Sequence, residues 1–273
     1  ILIKKHNYKK HFVCVNINLI MVMSLNMSKY SIITLEEVSS TNSYAMEHIR
    51  FLDDKTVIFT MHQSDGRGRY DRKWVSDESE NLYMSIVIKP ENVDNYPVAN
   101  LTQYLSIAVC NFLEKEFNLI PKIKWPNDIL IDGYKISGIL AESYIEKNKI
   151  AGIILGLGLN VNLHPETLKK IDQKAASLCV LKNKNYNVYV ILEKILDYFF
   201  EHYNQFVKEG FIYIKDEYIS RCNFLGKEIT VKDGDIKRNY TALSINDNGL
   251  LIVKNELGNK IEIITGDILC TQI

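Results

Sequence analysis

The sequence has no excess of charge of either sign. Its 33 lysine and arginine residues are balanced by 33 aspartate and glutamate residues, so the formal net charge is zero. This balance argues against a function that depends on bulk positive charge, such as nonspecific binding to nucleic acid. The sequence also lacks a run of about 18 apolar residues, so it predicts no membrane-spanning helix. These absences favour a globular protein, and 273 residues suffice for one large domain and a small one.

Patterns typical of a metal site, a disulfide framework or a nucleotide-binding loop are also missing. The cysteines are scattered and odd in number, which favours buried, reduced thiols at Cys14, Cys110, Cys179, Cys222 and Cys270. His48, His62 and His164 have neither triad nor metal-ligand spacing. No P-loop motif occurs, and Gly156-Leu157-Gly158 lacks the third glycine of a dinucleotide fingerprint. The sequence therefore predicts no metal ion held by protein side chains.

The first 28 residues differ from the rest of the chain. Four lysines precede an apolar stretch from Phe12 to Met23, and no acidic residue occurs before Glu36. This arrangement loosely resembles a targeting leader. Two asparagines interrupt the apolar stretch, however, and no small-residue cleavage site follows it. We therefore expect residues 1–28 to be a leader or a disordered extension, with a translated segment upstream of a start at Met23 or Met27 as an equal alternative.

The spacing of apolar residues predicts an α+β fold. Helices are predicted from the Ser39–Asn42 region to about Arg50 and over residues 99–117 and 188–206, and strands over 30–34, 57–61, 82–88, 123–125, 129–131, 134–136, 139–145 and 149–161. Asp132-Gly133 marks a tight hairpin turn. Four short strands with turn signals follow, at 228–232, 240–245, 250–254 and 260–265, and predict a small β-barrel. We expect a mixed sheet with flanking helices in residues 29–220 and a β domain in residues 221–273.

Arginine is scarce, yet three of the six arginines lie between Arg67 and Arg72. They belong to Gly66–Trp74, which we call the arginine loop. Arginine is a planar, multidentate donor that suits phosphate or carboxylate, and glycine lets a backbone approach a ligand closely. Trp74 offers a flat surface for an aromatic base. The alternative is a solvated basic loop with one buried tryptophan, and the pattern alone favours phosphate binding only slightly.

Two further segments place polar residues in defined positions. Lys124-Trp125-Pro126-Asn127-Asp128 contains the second tryptophan, and Asn127 offers both a donor and an acceptor to a base edge. Lys135 directly follows the predicted hairpin, where its ammonium can neutralise a carboxylate or phosphate. Alone, the first segment is explained equally well as a capped strand end. The second is explained better as an exposed strand lysine.

Taken together and in this order, these segments resemble the biotin–protein ligase family over about residues 30–270. The matching stretches are Ser40-Thr41-Asn42, Gln63, Gly66-Arg67-Gly68-Arg69-x-x-Arg72-x-Trp74, Lys124-Trp125-Pro126-Asn127-Asp128, Lys135-x-x-Gly138-Ile139-Leu140-x-Glu142 and Gly156-x-Gly158-x-Asn160-Val161. Asp71 departs from the family pattern, in which glycine is common at this position. The DNA-binding domain of bifunctional members has no counterpart in the sequence, so we do not expect a repressor.

The resemblance implies a class II synthetase-like catalytic domain followed by an SH3-like barrel. It also implies that biotin and ATP, with Mg²⁺ as cofactor, give biotinyl-5′-AMP, from which a lysine of a biotin carboxyl carrier protein takes the biotin. The implied catalytic residues are Arg67, Arg69 and Lys135. The implied biotin-binding residues are Ser40, Thr41, Asn42, Gln63, Gly66, Arg67, Gly68, Arg69 and Lys135. The implied ATP- and adenylate-binding residues are Arg72, Trp74, Asn127, Asp128 and Asn160.

Two alternative functions stay open at this point. A lipoate or octanoate ligase or transferase resembles the same fold and uses a lysine near the place of Lys135, although the arginine loop favours biotin. A non-catalytic adapter would bind the carrier through the β domain. We expect no DNA or membrane partner, and a homodimer is compatible with the resemblance. The predicted compartment is the cytoplasm, with organellar import through residues 1–28 as the alternative.

Overall fold

The computed structural model describes residues 25–27, 29–70, 72–77, 79–91 and 98–269. The predictions for most of the N-terminal extension, for Asp71 and for two of the cysteines, Cys14 and Cys270, lie outside these residues. The described residues form a mixed sheet of eight strands and an antiparallel sheet of five, with helices against the larger one. The predicted α+β class is therefore confirmed.

The larger sheet has the strand order β1-β2-β3-β4-β8-β7-β6-β5. Its strands are β1 (Leu25–Met27), β2 (Tyr30–Thr34), β3 (Thr56–Thr60), β4 (Leu82–Ile88), β5 (Pro121–Lys124), β6 (Asp128–Ile131), β7 (Tyr134–Glu146) and β8 (Lys149–Leu159). β2 and β3 are parallel, and every other neighbouring pair is antiparallel. β1 belongs to the segment that we predicted as a leader or extension, and it pairs with the open edge of β2.

The helices cover both faces of this sheet. They are α1 (Thr41–His48), α2 (Leu101–Phe117), α3 (Pro165–Leu168), α4 (Leu178–Lys182), α5 (Val188–Glu201), α6 (Tyr203–Glu209) and α7 (Lys215–Arg221). Because strand side chains alternate between faces, Val57 and Phe59 join the main core with α2 and α5, whereas Ile58 joins a smaller core beneath α1. Packing on both faces of the sheet therefore fixes the central strands. It also fixes the positions of the residues at the strand ends.

The structure corrects two predicted elements. The predicted helix over 188–206 is two helices, which break at His202 (φ −116°, ψ 12°). The break lets the Phe206 ring stack on Tyr104 at 4.2 Å between centroids, while Phe199 of α5 packs on the same ring. The two strands predicted at 134–136 and 139–145 are the single strand β7, because Gly138 continues the ladder to its neighbours instead of turning the chain.

The smaller sheet has the order β12-β11-β10-β9-β13. Its strands are β9 (Glu228–Asp233), β10 (Ile236–Ile245), β11 (Leu251–Lys254), β12 (Lys260–Ile263) and β13 (Asp267–Leu269). The sequence analysis predicted the first four and missed β13, which is only three residues long. Apolar residues such as Val231 and Val253 join the same core as the large sheet. We refer to β9–β13 and their connections as the C-terminal β unit.

The described cysteines agree with the predicted buried thiols. Cys110, Cys179 and Cys222 are free and buried. Burial raises the pKa of Cys110 to about 12. It also raises the pKa of Cys222 far above the ordinary thiol range. These two thiols are therefore protonated and inert near neutral pH.

Candidate active site

A cavity of about 650 Å³ lies over the middle of β7 and β8. Its walls are the N-terminus of α1, the arginine loop, the segment around Asn127 and residues 170–173. The predicted site residues that line it are Ser40, Thr41, Asn42, Gln63, Arg67, Gly68, Arg69, Arg72, Trp74, Asn127, Asp128 and Lys135. Segments that are far apart in the sequence thus meet around one cavity.

Three glycines leave the floor of this cavity as bare backbone. Gly138 on β7 and Gly158 on β8 are paired in register. A Cβ atom at either position would lie 2.7 Å from the ring of Trp74. A Cβ atom on Gly156 would collide with the side chain of Asn42. The two polar segments can approach the sheet only because these positions carry no side chain.

Polar groups at the start of α1 are held by hydrogen bonds. The backbone N–H of Thr41 donates to Oε1 of Gln63 at 2.8 Å. Nδ2 of Asn42 donates to Oε2 of Glu142 at 2.7 Å, and the Ser85 hydroxyl donates to Oδ1 of Asn42 at 2.5 Å. Gln63 itself lines the cavity, and the hydrogen bonds of its side chain among the described residues are accepted by Oε1.

The arginine loop is folded back on itself. The Gly68 N–H donates to the Arg72 carbonyl at 2.6 Å, and the Trp74 N–H donates to the Gly66 carbonyl at 2.8 Å. Tyr70 at its tip has a φ of +54°, in the left-handed region that non-glycine residues rarely adopt. The fold-back brings Arg67, Arg69 and Arg72 to the cavity together.

Each arginine of the loop contacts a carboxylate from another element. Nη2 of Arg67 lies 2.8 Å from Oε2 of Glu142 on β7. Nη1 of Arg69 lies 2.8 Å from Oδ1 of Asp267 and 3.1 Å from the Gly266 carbonyl. Arg72 pairs with the other oxygen of Asp267. The loop is therefore attached to β7 on one side and to the C-terminal β unit on the other.

Two lysines share the carboxylate of Asp128. Nζ of Lys135 lies 2.6 Å from Oδ1, and Nζ of Lys124 lies 3.4 Å from Oδ2. Burial alone would raise the pKa of Asp128, but the two ammonium groups hold it below its ordinary value. Asp128 is therefore ionised at neutral pH.

Four predicted residues have defined places in the structure, and the one at the start of α1 lies where the sequence predicted the helix to begin. Ser40 caps α1 by accepting a hydrogen bond from the Ser43 N–H. Asn127 lines the cavity, but its Nδ2 donates to the Ile139 carbonyl at 2.9 Å. Asn160 is not among the lining residues, and its amide donates to the Ala176 carbonyl. Gly66 lies behind the cavity wall, where a Cβ atom would meet Gln63 and Trp74.

Tyr83 is a cavity residue that the sequence analysis missed. It lies on β4 opposite Gly158, and burial raises its pKa to about 12. The Tyr83 hydroxyl and Nε1 of Trp74 are buried, and neither meets a partner with hydrogen-bonding geometry among the described residues. Tyr83 falls within a strand where every residue is buried, so its pattern is that of an ordinary core residue.

Glu142, Asp267 and residues 170–173 were also given no role by the sequence. Glu142 belongs to a matching motif, but its partners Arg67 and Asn42 come from distant segments. Asp267 is 198 residues from Arg69, and no spacing rule connects them. Residues 170–173 form a loop whose contribution depends on tertiary placement.

Two negative findings apply to the described residues. They contain no group of three or more His, Cys, Asp or Glu side chains arranged to hold a metal ion. Of the two carboxylates that line the cavity, Asp128 and Asp172, the first is paired with Lys124 and Lys135. In the described parts of the chain, no helix is long and apolar enough to cross a membrane.

Comparison with known proteins gives consistent matches. The model of the family described as Biotin/lipoate A/B protein ligase family matches residues 34–160. The Bifunctional ligase/repressor BirA of Bacillus spizizenii is 31% identical over 217 residues, which cover 78% of this chain and 65% of that protein. The Biotin--[acetyl-CoA-carboxylase] ligase of Paracoccus denitrificans is 26% identical over 233 residues, 83% of this chain and 95% of that protein.

The fold also matches solved structures. The biotin protein ligase from Aquifex aeolicus in complex with biotin and ATP has a TM-score of 0.73 and 29% sequence identity, over 87% of this chain and 97% of that one. The apo structure from the same organism has a TM-score of 0.72 and 25% identity. The chain spans about 65% of the length of the Bacillus relative, and most of the length of the Aquifex proteins.

Proposed function

We propose that this protein is a biotin–protein ligase, because residues 34–160 match the model of the biotin/lipoate A/B protein ligase family and the fold matches solved biotin protein ligase structures. It forms biotinyl-5′-AMP from biotin and ATP, and transfers the biotin to a lysine of a biotin carboxyl carrier protein. The observation that carries the proposal is one cavity whose lining combines hydrogen-bonding groups and a glycine floor with four of the predicted cations. The cations are Arg67, Arg69, Arg72 and Lys135.

The first step joins two anions, so the cations have a direct role. An oxygen of the biotin carboxylate attacks the α-phosphorus of ATP, and the bond from that phosphorus to pyrophosphate breaks. Arg69 and Lys135 neutralise the carboxylate and the α-phosphate, and Arg72 contacts the departing phosphates. Arg67 holds the wall of the cavity through Glu142. Because Asp267 holds Arg69 and Arg72 in place, these two donors need little rearrangement as charge develops.

Biotin and adenine need different surroundings. The ureido ring of biotin has both donors and acceptors, which Thr41, Asn42 and Gln63 can match. Trp74 provides the aromatic surface for adenine. Asn127 contributes its carbonyl oxygen to the adenine edge, because its Nδ2 is held by the Ile139 carbonyl.

In the second step, the carrier lysine attacks the carbonyl carbon of biotinyl-AMP, AMP departs, and the amine loses a proton. Asp128 is unsuited to take that proton, because its two lysines hold its pKa below the ordinary value. We assign it to positioning Lys135. We propose that Mg²⁺ enters as part of the substrate MgATP.

We also propose how the chain is divided into domains and in which compartment it acts. Residues 29–220 are the catalytic domain, and residues 221–273 are an SH3-like domain. The free, buried thiols suit a reducing compartment such as the cytoplasm. There the partner is the carrier domain of a biotin-dependent carboxylase.

The test is biotinylation of a carrier. The purified protein is incubated with biotin, MgATP and a generic biotin carboxyl carrier domain, and the carrier is weighed by mass spectrometry. We expect a biotin-sized gain at one lysine, no gain without ATP, and at least a hundredfold slower gain with Lys135→Met. A gain with lipoate but not with biotin would assign a lipoate ligase. Carrier binding without any gain or biotin-dependent ATP–pyrophosphate exchange would assign an adapter.

A further inference from the structure

Lys124 is a half-buried lysine beside the cavity with no role in the proposed reaction. Its side chain is 21% exposed, and its ammonium lies 3.4 Å from Oδ2 of Asp128. Oδ1 of the same carboxylate is taken by Lys135 at 2.6 Å. The side chain of Asp128 is only 9% exposed, so two cations neutralise one buried anion.

The two lysines differ in what they can reach. Lys135 and Asp128 line the cavity, whereas Lys124 is not among the lining residues. Nζ of Lys135 lies 5.2 Å from the centre of the Trp74 ring, so its ammonium faces the ligand side. Lys124 is on β5, at the edge of the sheet, and its ion pair among the described residues is with Asp128. The Lys135 ammonium can therefore contact a ligand in the cavity, whereas the Lys124 ammonium stays next to Asp128.

Resting on the proposed function, we propose that Lys124 is a positioning residue that neutralises Asp128 when Lys135 turns towards the biotin carboxylate. A lysine has a flexible stem and moves readily between anions. If Asp128 had no second cation, the movement of Lys135 would leave an unpaired carboxylate in a buried place, which is strongly unfavourable. Lys124 removes that penalty and frees Lys135 for the ligand.

Besides Lys135, no charged group of the cavity lining forms an ion pair with Asp128 among the described residues. The ion pairs of Asp128 within the described residues are those to Lys124 from β5 and Lys135 from β7. Charged residues elsewhere in the lining are Arg67, Arg69, Arg72, Lys73, Lys170 and Asp172. The three arginines pair with Glu142 or Asp267, and Lys73 pairs with Asp65.

We expect biotin binding to be coupled to proton uptake in the Lys124→Met variant. In Lys124→Met, Asp128 loses its second cation, and biotin draws Lys135 away from it. The buried carboxylate then takes up a proton, because burial without a partner raises its pKa. Biotin affinity of this variant should weaken as pH rises, by up to about tenfold per pH unit. The wild-type protein should show no such loss between about pH 6 and pH 8.

The experiment is calorimetric titration with biotin alone, in two buffers of different ionisation heat. We expect proton uptake of up to one proton per biotin in Lys124→Met and none in the wild type. Lys124→Arg keeps the charge and should behave like the wild type. Lys122→Met is the matched control, because Lys122 is on the same strand and forms no ion pair in the described part of the chain. It should also match the wild type.

A double variant keeps the test decisive if Lys124→Met folds poorly. Lys124→Met with Asp128→Asn removes the cation together with the anion, so the proton uptake should vanish. Persistent uptake in the double variant, or wild-type affinity and pH dependence in Lys124→Met, would overturn the inference. A wild-type protein that binds no biotin would instead refute the proposed function, and the inference would fail with it.

Discussion

Nη1 of Arg69 lies 2.8 Å from Oδ1 of Asp267, although 198 residues separate them in the sequence. The side chains are 18% and 12% exposed, so the ion pair is largely shielded from water. Arg72 pairs with the second oxygen of the same carboxylate, and the Tyr70 hydroxyl lies 3.1 Å from the Thr265 hydroxyl. The C-terminal β unit thus holds the tip of the arginine loop.

Asp267→Asn should loosen the arginine loop. The substitution removes the charge that two guanidinium groups share, so the loop opens more often. We expect trypsin to cleave after Arg67, Arg69 or Arg72 roughly fivefold faster. Asp235→Asn, on an exposed turn of the same β unit, is the control and should leave the rate unchanged. Equal cleavage of both variants would mean that Asp267 does not hold the loop.

Arg69→Ala should release the proposed adenylate. The variant lacks both a cation facing the α-phosphate and the link to Asp267. We expect at least tenfold more free biotinyl-AMP in single turnover, and biotin on lysines of a bystander protein, both measured by mass spectrometry. Arg238→Ala, at an exposed arginine of the C-terminal β unit, is the control. Complete retention of the adenylate by Arg69→Ala would count against the assigned role.

Alanine at Gly156 or at Gly158 in the floor of the cavity should displace a different side chain in each variant. Gly158→Ala places a Cβ atom 2.7 Å from the Trp74 ring, whereas Gly156→Ala drives into Asn42. Each overpacking should destabilise the site by about 1–3 kcal/mol and lower biotin-dependent ATP–pyrophosphate exchange about tenfold or more. Only Gly158→Ala should change tryptophan fluorescence. The two variants are controls for each other, and identical emission spectra would contradict the placement of Trp74.

Asp128→Asn should destabilise the protein in a pH-dependent way. The variant leaves two lysines without their carboxylate, so we expect a loss of about 3 kcal/mol in the free energy of unfolding near neutral pH. The folded-state pKa of Asp128 lies below the unfolded value, so its contribution is present above about pH 4 and disappears as pH falls further. Denaturant unfolding from about pH 3 to 7 measures this difference.

The control for that series is Asp132→Asn. Asp132 is in the β6–β7 turn at a φ of +50°, which asparagine adopts readily. This variant should stay within about 0.5 kcal/mol of the wild type at every pH. A constant difference between the wild type and Asp128→Asn across the pH range would show that the carboxylate charge is not what stabilises the site.

Much of the fold was predictable from the sequence, because local signals decide its elements. The seven consecutive buried residues of β4 are a strand at the predicted bounds, and the Asp132-Gly133 turn joins β6 and β7 as expected. The errors occurred where tertiary contacts override local pattern. His202 breaks a helix whose apolar spacing continues, and β13 is too short to carry a pattern of its own.

The sequence also predicted which segments line the cavity, but not which residues of these segments contact one another. The glycines, the arginine loop and Lys135 were identified from rare residue types and a family resemblance. The partners of these residues were not, since Glu142, Asp267 and Lys124 are common residue types in ordinary strands and loops. Their importance comes from burial next to an opposite charge, which only the packed chain reveals.

The Asn248-Gly249 turn joins the C-terminal β unit to the catalytic part of the chain. Its carbonyl groups accept hydrogen bonds from Asn100, Gln103 and Trp125, all in the catalytic part of the chain. A Cβ atom on Gly249 would collide with the first two, and its φ is +77°. A chimera with the corresponding unit of a relative therefore has to preserve this glycine turn along with Asp267. A chimera that keeps only the glycine turn would lose the contact with the arginine loop. One that keeps only Asp267 would lose the hydrogen bonds that join the two sheets.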